Sequence, residues 1–151
     1  MTQNDTQQKN PAQRGLQTYA GGCLCGAVRY EATVDLARVT RCNCTICMKY
    51  GYGGGTGMKP DAFRLLKGQE AIKKYGRDGS PNTRSFCRNC GVVCFGDGDV
   101  PELGGKFVSI YVNTLDDVDP SLLTFGYWDG RHDNWAAGLR STPWPFQPTV
   151  S

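Results

Sequence analysis

At 151 residues the chain has the size of one ordinary domain, and its 39% of hydrophobic residues can supply a modest core. Its 20 glycines and 8 prolines indicate many turns and argue against long helices, and no apolar run approaches the ~18 residues of a membrane span. The formal charge of +3 is scattered, the densest basic group being Lys73, Lys74, Arg77, Arg84 and Arg88, so nucleic acid is not an expected partner.

In chain order, residues 1–15 read as a polar, disordered lead-in with no apolar secretory segment, which leads to the expectation of a cytoplasmic protein. Residues 16–147 form the expected domain and residues 148–151 a frayed tail. Ala27 to Thr33 alternates Val28, Tyr30 and Ala32 against Arg29, Glu31 and Thr33, the pattern of a half-buried strand. Thr45 is positioned to cap one helical turn from Ile46 to Tyr50. Phe63–Leu66 and Ile72–Tyr75 are short strands separated by a turn at Lys67-Gly68. Thr83–Phe86 leads into a cysteine group and Val92–Phe95 leaves it. Lys106 to Asn113 carries Phe107, Val108, Ile110, Tyr111 and Val112, the strongest strand pattern in the chain. Pro120 opens a second short helical turn through Leu123, and Pro143-Trp144-Pro145-Phe146 reads as an extended edge segment. The expected class is mainly β, with antiparallel sheets, Gly-rich turns and small helical pieces.

The 8 cysteines fall into groups: Cys23 and Cys25; Cys42, Cys44 and Cys47; Cys87 and Cys90, followed by Cys94. In a reducing compartment such thiols indicate metal rather than disulfides. Cys87-Arg88-Asn89-Cys90-Gly91 turns two sulfurs toward one point, and the glycine allows the backbone dihedrals such knuckles use. Cys23-Leu24-Cys25-Gly26 ends in the same way. Each pair is half of a tetrahedral site. Cys42, Cys44 and Cys47 supply three ligands and leave a fourth position for water or substrate. Cys94 either closes that site or is a buried side chain on its strand, and spacing alone does not fix which groups share a metal.

Three segments together, Gly21-Gly22-Cys23-Leu24-Cys25-Gly26-Ala27-Val28-Arg29-Tyr30, Cys42-Asn43-Cys44-Thr45-Ile46-Cys47 and Phe86-Cys87-Arg88-Asn89-Cys90-Gly91, resemble the glutathione-dependent formaldehyde-activating enzyme family, which also includes centromere protein V. Val112-Asn113-Thr114-Leu115-Asp116-Asp117 resembles a late stretch of the same family, so the likeness spans about residues 17–146. It implies a zinc-stabilised, Mss4-like β fold. It also implies two Zn²⁺ ions: one held by Cys23, Cys25, Cys87 and Cys90 as a closed structural site, the other by Cys42, Cys44 and Cys47 as the catalytic site. The implied activity is that of a carbon–sulfur lyase, adding glutathione or a similar small thiol to formaldehyde or another small aldehyde, or cleaving the adduct. Leu24 stands where family members often carry histidine. An alternative of another class is a structural zinc module that binds protein or nucleic acid without catalysis.

An open site with three thiolates carries excess negative charge and is a weak Lewis acid, which disfavours hydrolysis and suits holding an incoming thiol as thiolate. Other residues carry less. His132, the only histidine, is a candidate proton donor but more often such a loop histidine is solvated. Gly53-Gly54-Gly55 lacks the Gly-Lys-Ser/Thr continuation of a phosphate loop and reads as a turn shaping access to the open site. Asp116 and Asp117 are neighbours on opposite faces, suited to a turn or surface role. Trp128, Trp135 and Trp144 read as core and edge packing.

Overall fold

Strand alternation at Arg29–Asp35 builds the centre of a small sheet whose inner face carries Tyr30, Ala32 and Val34, all buried. The computed structural model describes residues 10–147. In it, β1 (Leu16–Gly22), β2 (Arg29–Asp35) and β5 (Phe63–Lys67) form a 3-stranded antiparallel sheet in the order β1-β2-β5. The remaining strands are β3 (Thr40–Cys42), β4 (Gly55–Met58), β6 (Ile72–Tyr75), β7 (Thr83–Cys87), β8 (Val93–Val100), β9 (Gly105–Tyr111) and β10 (Gly126–Trp128). They form a 7-stranded sheet ordered β10-β3-β4-β9-β8-β7-β6. A single α-helix, α1 (Thr45–Lys49), and several 3-10 turns complete the described residues.

Aromatic packing joins the two sheets. Tyr30 of β2 stacks on Phe63 of β5 with ring centroids 5.4 Å apart, and Phe63 meets Phe95 of β8 at 4.7 Å. Burying each ring is worth on the order of 2–3 kcal/mol, and the quadrupolar contacts add to that. The Tyr30 hydroxyl, inside this core, is satisfied at 2.7 Å by Thr114 Oγ1, which lies just beyond β9. Val28, Leu36, Val39, Ile110 and Val112 fill the rest of the core.

The mainly β class, the short helical turns and the strands at 72–75, 83–87 and 105–111 agree with the sequence reading. Three details differ. One strand pair is parallel: β10 runs alongside β3, with Trp128 opposite Cys42. Strands β1, β3, β4 and β10 have no strong sequence signal of their own. The turn at Lys67-Gly68 separates strands of different sheets, because β5 joins β2 while β6 joins β7. Of the expected lead-in, residues 1–9 lie outside the described residues, whereas Pro11–Gln13 forms a 3-10 turn with Pro11 buried. The expected tail at 148–151 also lies outside the described residues.

Candidate metal centres and cleft

Two cysteine groups converge. The Sγ atoms of Cys23, Cys25, Cys87 and Cys90 lie within 4.8 Å of one another, as do those of Cys42, Cys44 and Cys47. The first group joins the loop between β1 and β2 to the turn between β7 and β8. Gly26 and Gly91, each following a second cysteine, adopt φ of +79° and +78°, the left-handed conformation each knuckle requires. Cys23 Sγ is 3.6 Å from Cys25 Sγ, and Cys25 Sγ is 3.7 Å from Cys87 Sγ. Four sulfurs ~2.3 Å from a tetrahedral zinc would be ~3.8 Å apart, so these spacings fit that ion. Backbone amides favour thiolate at two of the four, while Cys25, despite a backbone hydrogen bond from Ala27, is held up to about 11 by the neighbouring sulfurs. The Val28 amide donates to Cys23 Sγ at 3.2 Å, and backbone donation from Val92 leads in lowering Cys90 to about 6. Leu24, between two of these cysteines, points outward and is 85% exposed, so its side chain touches neither the metal group nor the core.

The second group is set by the end of β3 and by α1. Cys44, rather than Thr45, is the N-cap of the helix: its Sγ accepts from the Cys47 amide at 3.3 Å. A sulfur poised as ligand thus also occupies the capping position that the sequence suggests for a hydroxyl. The three thiols are strongly coupled. Hydrogen bonds from Cys42 and Cys47 push Cys44 down to about 2, while hydrogen bonding to Cys42 and Cys44 pushes Cys47 up. A divalent cation would favour loss of all three protons by neutralising the accumulated charge.

The loop carrying Cys42 and Cys44 is clamped from behind. Asn43, only 2% exposed, donates from Nδ2 to Asp129 Oδ1 at 2.8 Å and accepts the Arg131 amide at Oδ1, 2.9 Å. Arg131 Nε donates to the Asn43 carbonyl at 3.0 Å. Asp129 also takes Asn134 Nδ2 at 3.3 Å and bonds His132 Nδ1 at 2.7 Å, while His132 Nε2 reaches the Phe146 carbonyl at 2.9 Å. His132 is therefore exposed to solvent but tied to Asp129 and the tail, and it does not line the open side of the cysteine group. Gly130 closes the back wall, where a Cβ would stand 2.5 Å from Cys42 Sγ.

The front of the group is open. A cleft of about 680 Å³ is lined by Cys42 and Cys47, but not by Cys44. Its floor follows from strand register. Gly57 of β4, Ser109 of β9, Gly96 of β8 and Arg84 of β7 are successive cross-strand partners, and Gly55 pairs with Tyr111 on the same face. Gly54 and Gly55 need their missing side chains: Cβ atoms there would lie 2.6 Å from Phe125 and 2.1 Å from the Ile110 carbonyl. The glycine run is thus the wall of the cleft and the start of a strand, beyond the turn expected from sequence. Arg38, Lys59 and Arg84 line the cleft, and among the described residues no carboxylate does. The sequence places Arg84 only in a basic group and Tyr111 only in a strand, with no sign that they share a site. They come together only through the order of β7, β8 and β9.

Cys94 belongs to neither group. It is 1% exposed within the core, its Sγ lies 3.5 Å from the Val92 carbonyl, and burial pushes its thiol up to about 12. Asp116 pairs with Arg29 on the surface, and Asp117 sits in a turn with φ of +54°. Trp128 and Trp135 pack on one another at 5.9 Å, and Trp144 Nε1 donates to the Tyr127 carbonyl at 2.9 Å.

These features define a mainly β protein with two cysteine groups able to hold metal, one closed by four sulfurs and the other of three opening on a basic cleft. The chain matches the family described as glutathione-dependent formaldehyde-activating enzyme over residues 18–127, and it belongs to that family. A crystal structure of a Rhodobacter sphaeroides protein is similar, with a TM-score of 0.60 and 25% identity, covering 68% of this chain and 92% of that one. Among the described residues no helix is long and apolar enough to cross a membrane.

Proposed function

We propose that the protein is a zinc-dependent carbon–sulfur lyase that joins a small thiol, glutathione or a close analogue, to a small aldehyde, or cleaves the adduct. The observation that carries this reading is the cleft reaching Cys42 and Cys47 while its walls hold Arg38, Lys59 and Arg84. Glutathione bears two carboxylates, and cations unopposed by acids are the complement such a ligand needs. The cleft volume of about 680 Å³ is ample for a tripeptide.

Cys23, Cys25, Cys87 and Cys90 fit a closed structural zinc, and Cys42, Cys44 and Cys47 fit a second zinc with one position for ligand. A zinc ion in the second group would supply acidification of an incoming thiol, keeping its sulfur nucleophilic. The chain does the rest. The basic walls orient the carboxylates so that the sulfur meets the aldehyde, a gain in effective concentration. The sulfur lone pair forms the carbon–sulfur bond as the carbonyl π pair moves to oxygen, which takes up a proton. The reverse sequence releases thiol and aldehyde. The domain carrying this site spans residues 16–147, and residues 1–15 and 148–151 flank it.

The test is a calorimetric titration of zinc-loaded protein with glutathione in two buffers of different ionisation enthalpy. Saturable binding with proton release is the expected result. Absence of binding to protein containing two zinc ions would remove glutathione as the thiol and favour a structural zinc module.

A further inference from the structure

Tyr111 ends β9 on the cleft face, and its hydroxyl accepts a hydrogen bond from Arg84 Nε at 2.9 Å. The same guanidinium places Nη2 3.9 Å from Cys47 Sγ and lies over the Tyr50 ring, 4.9 Å from its centroid. Arg84 is thus held at three points, on a sulfur of the open group, on a hydroxyl and on an aromatic face. Gly96 lies between Arg84 and Ser109 in the sheet, and a Cβ there would stand in ordinary contact with Arg84 Cγ at 3.8 Å but only 2.7 Å from the Thr83 carbonyl oxygen. A phenol oxygen that accepts from a guanidinium keeps its own O–H free to donate, and here that donor stands on the cleft wall, one guanidinium away from Cys47.

We propose that Tyr111 is the group that donates a hydrogen bond, and then its proton, to the aldehyde oxygen, and that Arg84 is the positioning residue that aims it. The inference rests on the carbon–sulfur lyase reading above. As the sulfur–carbon bond forms, the carbonyl π electrons move to oxygen and the Tyr111 O–H proton follows, giving the neutral hydroxyl of the product. Water returns a proton to the phenolate, which the neighbouring Arg84 cation stabilises meanwhile. In the reverse direction the phenolate removes the hydroxyl proton as the carbon–sulfur bond breaks. Burial raises the Tyr111 hydroxyl above its ordinary range and Arg84 opposes that rise, so the group stays protonated near neutrality. His132, with both ring nitrogens engaged behind the cysteine loop, cannot perform this role.

The experiment compares wild type, Tyr111→Phe and Arg84→Gln as zinc-loaded proteins. Exchange between glutathione and its formaldehyde adduct is followed by magnetisation-transfer NMR, glutathione affinity by calorimetry and zinc content by metal analysis. Tyr111→Phe is expected to lower kcat by about 100-fold, the usual scale of an acid–base group, with glutathione affinity and zinc content retained. Arg84→Gln, which also removes one cation from the cleft wall, is expected to lower kcat by about tenfold and to raise KM, and it stands as the test should the phenylalanine variant fold poorly. A Tyr111→Phe enzyme within about threefold of wild-type kcat overturns the proposal and leaves the lyase reading intact. Loss of zinc or of glutathione binding in step with kcat overturns it by making the tyrosine structural. A wild type that does not accelerate exchange overturns both, and is recognised because the parent protein itself fails.

Discussion

Asn43 Nδ2 donates to Asp129 Oδ1 at 2.8 Å, so the residue between two sulfurs of the open group is tied to a buried carboxylate 86 residues later in the chain, just past β10. The bond does not touch the cleft. It fixes the backbone that aims Cys42 and Cys44, and Arg131 completes the grip on both the side chain and carbonyl of Asn43. Partners of this kind act on metal affinity by holding ligands in place before the ion arrives.

Replacing either partner should therefore weaken one site only. Asn43→Ala and Asp129→Ala are expected to lower zinc affinity at Cys42, Cys44 and Cys47 by about 10- to 100-fold, with the four-cysteine group unaffected. Competition with a chromophoric chelator that resolves two release steps checks this. Equal weakening of both steps would show general destabilisation instead.

The two groups should differ in what their loss does to the fold. The four-cysteine group links the β1–β2 loop to the β7–β8 turn, and a structural zinc contributes an apparent ~10–16 kcal/mol of binding free energy. That is comparable to the ~5–15 kcal/mol stability of a whole domain. Cys90→Ser should unfold much of the chain, and Cys47→Ser should keep the fold and lose the reaction. Circular dichroism with metal analysis separates the cases. Unfolding on Cys47→Ser would move the three-cysteine group from reaction to structure.

What the sequence made legible was what is local. Ligand pairs two or three residues apart lie in single turns, so the grouping of Cys42, Cys44 and Cys47 and the two half-sites could be read directly, while the pairing of the halves came from family resemblance. The strong alternation in β9 was readable for the same reason. By contrast, Gly55–Met58 has little β propensity of its own; it is a strand because Gly55 lets the chain approach Ile110 closely enough to pair with β9. The Arg84–Tyr111 contact depends on β8 lying between two strands, an order no residue in either strand announces. His132 reads as a loop residue because its partners Asp129 and the Phe146 carbonyl are meaningful only once the tail has folded back.

Asp129 also carries a pH signature. Burial pushes its carboxyl up, but hydrogen bonds from Asn43, His132 and Asn134 outweigh it and hold the group below the ordinary carboxylate range. A folded pKa below the unfolded value of about 3.9 means that the carboxylate's contribution is complete above about pH 4. It is lost as pH falls through the depressed folded value. The stability gap between wild type and Asp129→Asn should accordingly stay level from neutrality down to about pH 5 and narrow below about pH 4. Urea titrations followed by tryptophan fluorescence measure it, and a gap that widens in acid contradicts the assignment.

Cys94 provides the sharpest separation of ligand from core residue. A ligand to the open site would be deprotonated and its removal would cost metal. Instead the side chain is 1% exposed and its thiol is pushed up to about 12 by burial, the condition of an inert hydrophobe. Cys94→Ala should retain both zinc ions and cost about 1 kcal/mol, the scale of a small core cavity. In the zinc-loaded native protein Cys94 should resist iodoacetamide, and peptide mapping after denaturation and chelation should find it alkylated with the other seven. Loss of one zinc equivalent on Cys94→Ala would show that the sulfur reaches the open group after all. The cleft would then lose its free ligand position, and with it the chemical basis for thiol capture.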